Sequence, residues 1–92
     1  MSVADRIAAK LTAAFQPQAL EVIDDSARHA GHAGARAGGE SHFNVRVVSE
    51  AFAGKTRVER QRLVYGVLAE ELAGPVHALS LVLQTAAEAR PR

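Results

Sequence analysis

The sequence predicts an α/β chain of the α+β type, ordered helix, strand, strand, short turn, helix, strand, with a three-stranded mixed sheet carrying its helices on one face. Three observations predict it. Apolar residues recur at helical spacing from Val3 to Phe15 and stop before Pro17; Phe43, Val45 and Val47 alternate with His42, Asn44 and Arg46; and a second helical apolar face separates that alternating segment from a final Leu- and Val-rich one. The chain has 92 residues, of which 25 are apolar side chains larger than its 19 alanines. At this length roughly 60–65% of the unfolded surface is buried, enough for one core, so residues 1–92 are expected to form one domain packed from about 3 to 88.

The first helix spans residues 3–15: Val3, Ile7, Leu11, Ala14 and Phe15 share a face, and Ser2 caps its start with Asp5 three residues on. Residues 19–24, ALEVID, carry the β-branched Val22 and Ile23 and run into Asp24-Asp25-Ser26, the signature of a short strand and a turn. Residues 27–39 contain only Ala, Gly, His and Arg, with nothing large enough to bury, and are expected to be an exposed mobile loop. The second strand is expected at about 41–49, followed by one turn around Phe52 that closes at Gly54. Thr56 and Glu59 then form a capping box that opens the second helix. Val64, Leu68 and Leu72 form its buried face, with Leu63, Tyr65 and Val67 beside them, and Gly74-Pro75 ends it at about 73. Val76 to Thr85 reads as the third strand, covered on one side and packed within the sheet on the other. A further helical turn from Ala86 precedes a frayed tail at 89–92. Strands two and three, joined through a helix, should be parallel, and strands one and two antiparallel.

Composition excludes several function classes. Nine Arg and two Lys face ten acids, for a formal charge of +1, so any basic surface must be local. With no cysteine the chain has no disulfide framework, no thiol nucleophile, no Cys-based zinc site and no iron–sulfur cluster held by itself. The N-terminal segment carries Asp5 and Lys10 and lacks a signal peptide's apolar centre, and no apolar run approaches the ~20 residues of a membrane span. A cytoplasmic protein with no membrane contact is the expectation.

The chemistry-bearing motifs are few. Gly54-Lys55-Thr56 has the end of a phosphate-binding loop, but Ser49 stands where that motif needs a glycine. Ser41 and His42 are adjacent in a strand, point to opposite faces, and cannot act as nucleophile and base. No catalytic constellation assembles, and the chain is not expected to be an enzyme. Residues 55–62 place Lys55, Arg57, Arg60 and Arg62 around the single acid Glu59, a local charge of +3 at a helix start. That is a footprint for phosphate, and equally an ordinary solvated helix face. Arg60 also approaches the apolar face of its helix. His29 and His32 form an H-x-x-H pair in the loop, as compatible with two solvated imidazoles as with metal ligation. His77, just after Gly74-Pro75-Val76 and at the start of the last strand, sits at the mouth of the sheet, where an imidazole can meet a ligand or a backbone partner.

These pieces in order, Ala19-Leu20-Glu21-Val22, His29-Ala30-Gly31-His32, Glu40-Ser41-His42-Phe43, Phe52-x-Gly54-Lys55, Arg60-x-Arg62-x-x-Tyr65, Leu68-x-Glu70-Glu71-Leu72 and Val76-His77-Ala78-Leu79, resemble the BolA family over about residues 3–88. The resemblance implies a fold like class II KH domains. It also implies two functions. One is partnership with a monothiol glutaredoxin carrying a Cys-Gly-Phe-Ser site, with which a [2Fe-2S] cluster is shared for iron–sulfur assembly or iron-linked regulation. On that reading His77 and His29, with His32 in reserve, are this chain's ligands, and the glutaredoxin cysteine and a glutathione thiolate supply the rest. The other is DNA binding as a morphogene-type transcriptional regulator, through Lys55, Arg57, Arg60 and Arg62. Homodimerisation is left open. Two departures stand out: many relatives read Arg-His-Arg where this chain has Arg60-Gln61-Arg62, and the Gly-x-x-Gly loop that KH domains place between helices occurs here only as Gly31-His32-Ala33-Gly34, between strands. A third reading is a scaffold that binds a partner through the sheet edge.

Overall fold

The structure, a computed structural model, describes residues 2–25 and 41–90. Helix α1 (Val3–Phe15) carries the expected capping box, with the Ser2 hydroxyl accepting from the Asp5 N–H and the Asp5 carboxylate accepting from the Ser2 N–H. It ends at Gln16, whose left-handed backbone (φ 45°) turns its N–H back onto the Thr12 carbonyl. Strands β1 (Ala19–Asp24) and β2 (His42–Val48) pair antiparallel, Glu21 opposite Arg46 and Asp24 opposite Phe43. A 3₁₀ turn at Glu50–Phe52 follows, and Gly54 (φ +74°) reverses the chain before the Thr56 cap of α2 (Arg57–Val67). Then come α3 (Ala69–Ala73), β3 (Ala78–Gln84) and α4 (Ala86–Ala89). The sheet order is β1-β2-β3, with β3 parallel to β2, His42 opposite Ala78 and Val48 opposite Gln84.

The core lies between the sheet and its helices. Phe43, Val45 and Val47 from the central strand meet Ile7, Leu11 and Phe15 of α1, Phe52, and Val64 and Leu68 of the second helical segment. Phe15 and Phe52 pack with ring centroids 5.1 Å apart. The mixed sheet with helices over one face is therefore the architecture its sequence predicts. No helix among the described residues is long and apolar enough to cross a membrane.

Four expectations need correction. The second helix is not continuous to 73: Leu68 (φ −100°, ψ 20°) breaks it into α2 and α3, two residues after Gly66, a poor helix former. Leu63 and Tyr65 are exposed rather than beside the core. The third strand starts at Ala78, because Val76 closes the preceding helix by donating its N–H to the Glu71 carbonyl at 2.9 Å. And β3 is an edge strand whose outer face is open, with Ser80 and Val82 exposed.

The break at Leu68 leaves Glu71 facing the core side, where its side chain is fully buried. It accepts from Arg6 Nη2 and Lys10 Nζ, each at 2.9 Å, and so ties α3 to α1. Burial alone would raise its carboxyl, but the Lys10 hydrogen bond, a backbone hydrogen bond and the charges of Lys10 and Arg6 outweigh that and hold it below the usual carboxylate range.

Candidate functional site

His77 is exposed and stands in the extended segment immediately before β3. Its backbone is fixed: the N–H groups of His77 and Ala78 both donate to the Ser41 carbonyl, at 2.7 and 3.2 Å. Ser41 is the residue at which the chain re-enters the sheet, directly before β2. Asp24, at the end of β1, lies opposite Phe43, so the chain also leaves the sheet at this same end. His77 thus stands at a strand entry hydrogen-bonded to the closing end of the β1–β2 connection, whose opening end leaves β1 at the same end of the sheet, on the far side of β2. His29 and His32 lie within that connection, outside the described residues. Among the described residues no three His, Asp or Glu side chains gather as a metal site.

The four basic residues singled out in the sequence do not stay together chemically. Lys55, Arg57 and Arg62 are exposed. Arg60 is not: its side chain is only 11% exposed, and its guanidinium grips Glu88 with Nη1 at 2.6 Å and Nη2 at 3.1 Å from the two carboxylate oxygens. The same side chain donates to the carbonyls of Lys55 and Leu83, both at 3.0 Å, and lies 6.0 Å from the centre of the Phe52 ring. Arg60 follows the i, i+4 row to buried Val64, which places it against the core rim. Its hydrogen bonds hold the Glu88 carboxyl down to about 2. This corrects its assignment as a free phosphate contact: it is a structural cation, already neutralised. Glu59 is likewise occupied, capping α2 through the Thr56 N–H at 2.7 Å, and that backbone bond lowers its pKa.

Two contributors went unread in the sequence, although the signals existed. Glu71 continues the 64, 68, 71 spacing of the buried helical face, which is where a paired acid can be buried. Glu88 is the fourth residue of a Thr85-x-x-Glu88 capping box, the same pattern that located the starts of α1 and α2.

Comparison with known proteins fits this geometry. The sequence model of the BolA-like protein family matches residues 11–88. The chain is 49% identical over 88 residues to the DNA-binding transcriptional regulator BolA of Escherichia coli, covering 96% of this chain and 80% of that one. It is 51% identical over 87 residues to the chloroplastic/mitochondrial SufE-like protein 1 of Arabidopsis thaliana, of which it spans 24%. Among solved structures, BolA1 from Arabidopsis thaliana superposes with a TM-score of 0.84 at 40% identity, covering 98% of this chain and 99% of that one. Relatives thus occur in organelles, and membership does not itself assign a compartment. With the family pattern running through nearly the whole described fold, His77 and the α2 start included, the chain belongs to the BolA-like family.

Proposed function

We propose that this chain is a partner protein, not an enzyme, and that it shares a [2Fe-2S] cluster with a monothiol glutaredoxin, contributing His77 and one histidine of the β1–β2 connection, His29 with His32 in reserve. The observation that carries this reading is the position of His77, exposed on a fixed backbone whose hydrogen-bond acceptor, Ser41, is the closing residue of that connection. Reach is sufficient. His29 is four residues beyond Asp25, within about 14 Å of extended chain, while β1 and β3 are only about 10 Å apart across the sheet. The donor set also fits: two imidazoles can replace two thiolates on one iron, which raises the reduction potential of such a centre. A chain without cysteine needs a partner to supply the thiolates, and a glutaredoxin cysteine with glutathione does so.

Co-expression with a monothiol glutaredoxin and visible absorption of the purified complex tests this. The expected result is a coloured complex whose spectrum and cluster lifetime change in His77→Ala, and change more mildly in His29→Ala, where His32 can substitute. A colourless complex, or an unchanged spectrum when all three histidines are replaced, sinks the reading.

A second reading is favoured by the name and the 49% identity of the E. coli relative, together with the exposed Lys55, Arg57 and Arg62 at the start of α2. It is duplex DNA binding through phosphate contacts, and its salt dependence is the measurement that tests it.

A further inference from the structure

Strand β3 has a neighbour on one side only. The Ala78 N–H donates to Ser41 and the Gln84 carbonyl accepts from Ser49, so the even-numbered residues face β2 and Leu79, Leu81 and Leu83 present their backbone groups outward. The Leu83 carbonyl is taken by Arg60. The outward groups of Leu79 and Leu81 have no partner among the described residues. Natural sheets usually blunt such an edge with a charge, a proline or a bulge, yet Ala78–Gln84 contains no charged residue and no proline. Alongside the C-terminal half of this edge runs a cleft of about 440 Å³, walled on the other side by the start of α2, with Lys55 and Arg57 in its lining. Of its charged residues, Arg60 and Glu88 cancel each other, whereas Lys55 and Arg57 make no ion pair among the described residues.

We propose that this edge and cleft dock an extended acidic peptide segment of a partner protein, which adds a strand to β3 and places carboxylates against Lys55 and Arg57. An unpaired strand edge offers a donor and an acceptor at every second residue, which only another peptide backbone matches in register, and the flanking cations select the charge of its side chains. A nucleic-acid strand fits less well. The clamp that KH domains use is a Gly-x-x-Gly loop between helices, and the corresponding α2–α3 junction reads Gly66-Val67-Leu68-Ala69, with Leu68 buried and its N–H committed to the Val64 carbonyl. The proposal does not rest on the cluster ligands, since among the described residues no histidine lines the cleft.

The test uses the full chain and a synthetic peptide of about seven residues alternating valine and glutamate. On saturation, amide exchange at Leu79 and Leu81 should slow by about tenfold or more, because those N–H groups become paired. The double variant Lys55→Glu/Arg57→Glu should lose about tenfold in affinity, whereas Arg46→Gln, which removes a cation from the opposite sheet face, should stay within about twofold. A peptide with proline at alternate positions should not bind, since it lacks the ladder donors. Binding without protection of Leu79 and Leu81 would overturn the proposal. So would equal binding of the proline peptide, protection produced by self-association without any peptide, or a single-stranded oligonucleotide occupying the cleft in the peptide's place.

Discussion

Ser49 shows how much a single small side chain can hold. It is buried at the end of β2, its hydroxyl donates to the Phe15 carbonyl at 2.6 Å and accepts from the Ala51 N–H at 3.1 Å, and its own N–H donates to the Gln84 carbonyl at 2.8 Å. The last carbonyl of α1, the cap of the 3₁₀ turn and the end of β3 thus meet at one residue. Ser49→Ala should cost about 2 kcal/mol, one cap plus a buried carbonyl left without its donor, read as a lowered urea midpoint at unchanged slope. Its local contact with Ala51 is an ordinary turn cap, and what makes it central, the bonds to Phe15 and Gln84, joins residues distant in the chain that no local pattern marks. Glu71 was more legible, lying on the apolar spacing. Its carboxyl titrates below the ordinary 4.5 in the folded chain, so its contribution is fully present above that value and is lost as pH falls through the depressed one. Glu71→Ala removes the buried acceptor shared by the part-exposed Arg6 and Lys10 and unties α3 from α1, and should lower the urea midpoint near neutral pH. Glu71→Gln should flatten the acid limb of the stability curve, and a limb unchanged in that variant would mean that the acid sensitivity arises elsewhere.

At the scale of elements, α4 is the instructive case. Four residues cannot sustain a helix alone. It is held by the Thr85 capping box, by the Ala86 N–H donating to Glu50 Oε2 at 2.9 Å, and by the Arg60 grip on Glu88. Since the Glu88 carboxyl is held down to about 2, this latch is complete above the ordinary 4.5 and opens as pH falls from there toward 2. Amide exchange across 86–89, corrected for its intrinsic pH dependence, should therefore accelerate over that window, and Arg60→Ala should give the open behaviour already at neutral pH. Exchange that stays slow in Arg60→Ala would assign the docking to the Thr85 cap and the Ala86–Glu50 hydrogen bond. The elements themselves were largely legible: the bounds of α1 and β1 follow from spacing, capping and Pro17, and β2 from its alternation. The Leu68 break was not, because local pattern carries the apolar face straight across it, and what the interruption achieves, Glu71 meeting Arg6 and Lys10, is a contact across the fold. The β3 edge was misread for a related reason: a Leu- and Val-rich run does not reveal whether it has one neighbour or two.

At the scale of the whole molecule, a formal charge of +1 offers no general attraction to nucleic acid, so any duplex binding depends on the local set at the start of α2. The sequence counts four cations there, which would give a slope of about −3.6 in log K against log salt for duplex DNA. The fold leaves three, since Arg60 spends its hydrogen bonds on Glu88, Leu83 and Lys55 inside the protein. A slope of about −2.7 is therefore expected. Replacing Lys55, Arg57 or Arg62 by alanine should lower its magnitude by about 0.9 each, while Arg60→Ala should leave the slope unchanged and reduce stability instead. Fluorescence anisotropy of a labelled duplex at two or more salt concentrations separates these outcomes. A slope near zero removes the DNA reading, and a slope that falls in Arg60→Ala would mean that DNA competes successfully with Glu88 for that guanidinium.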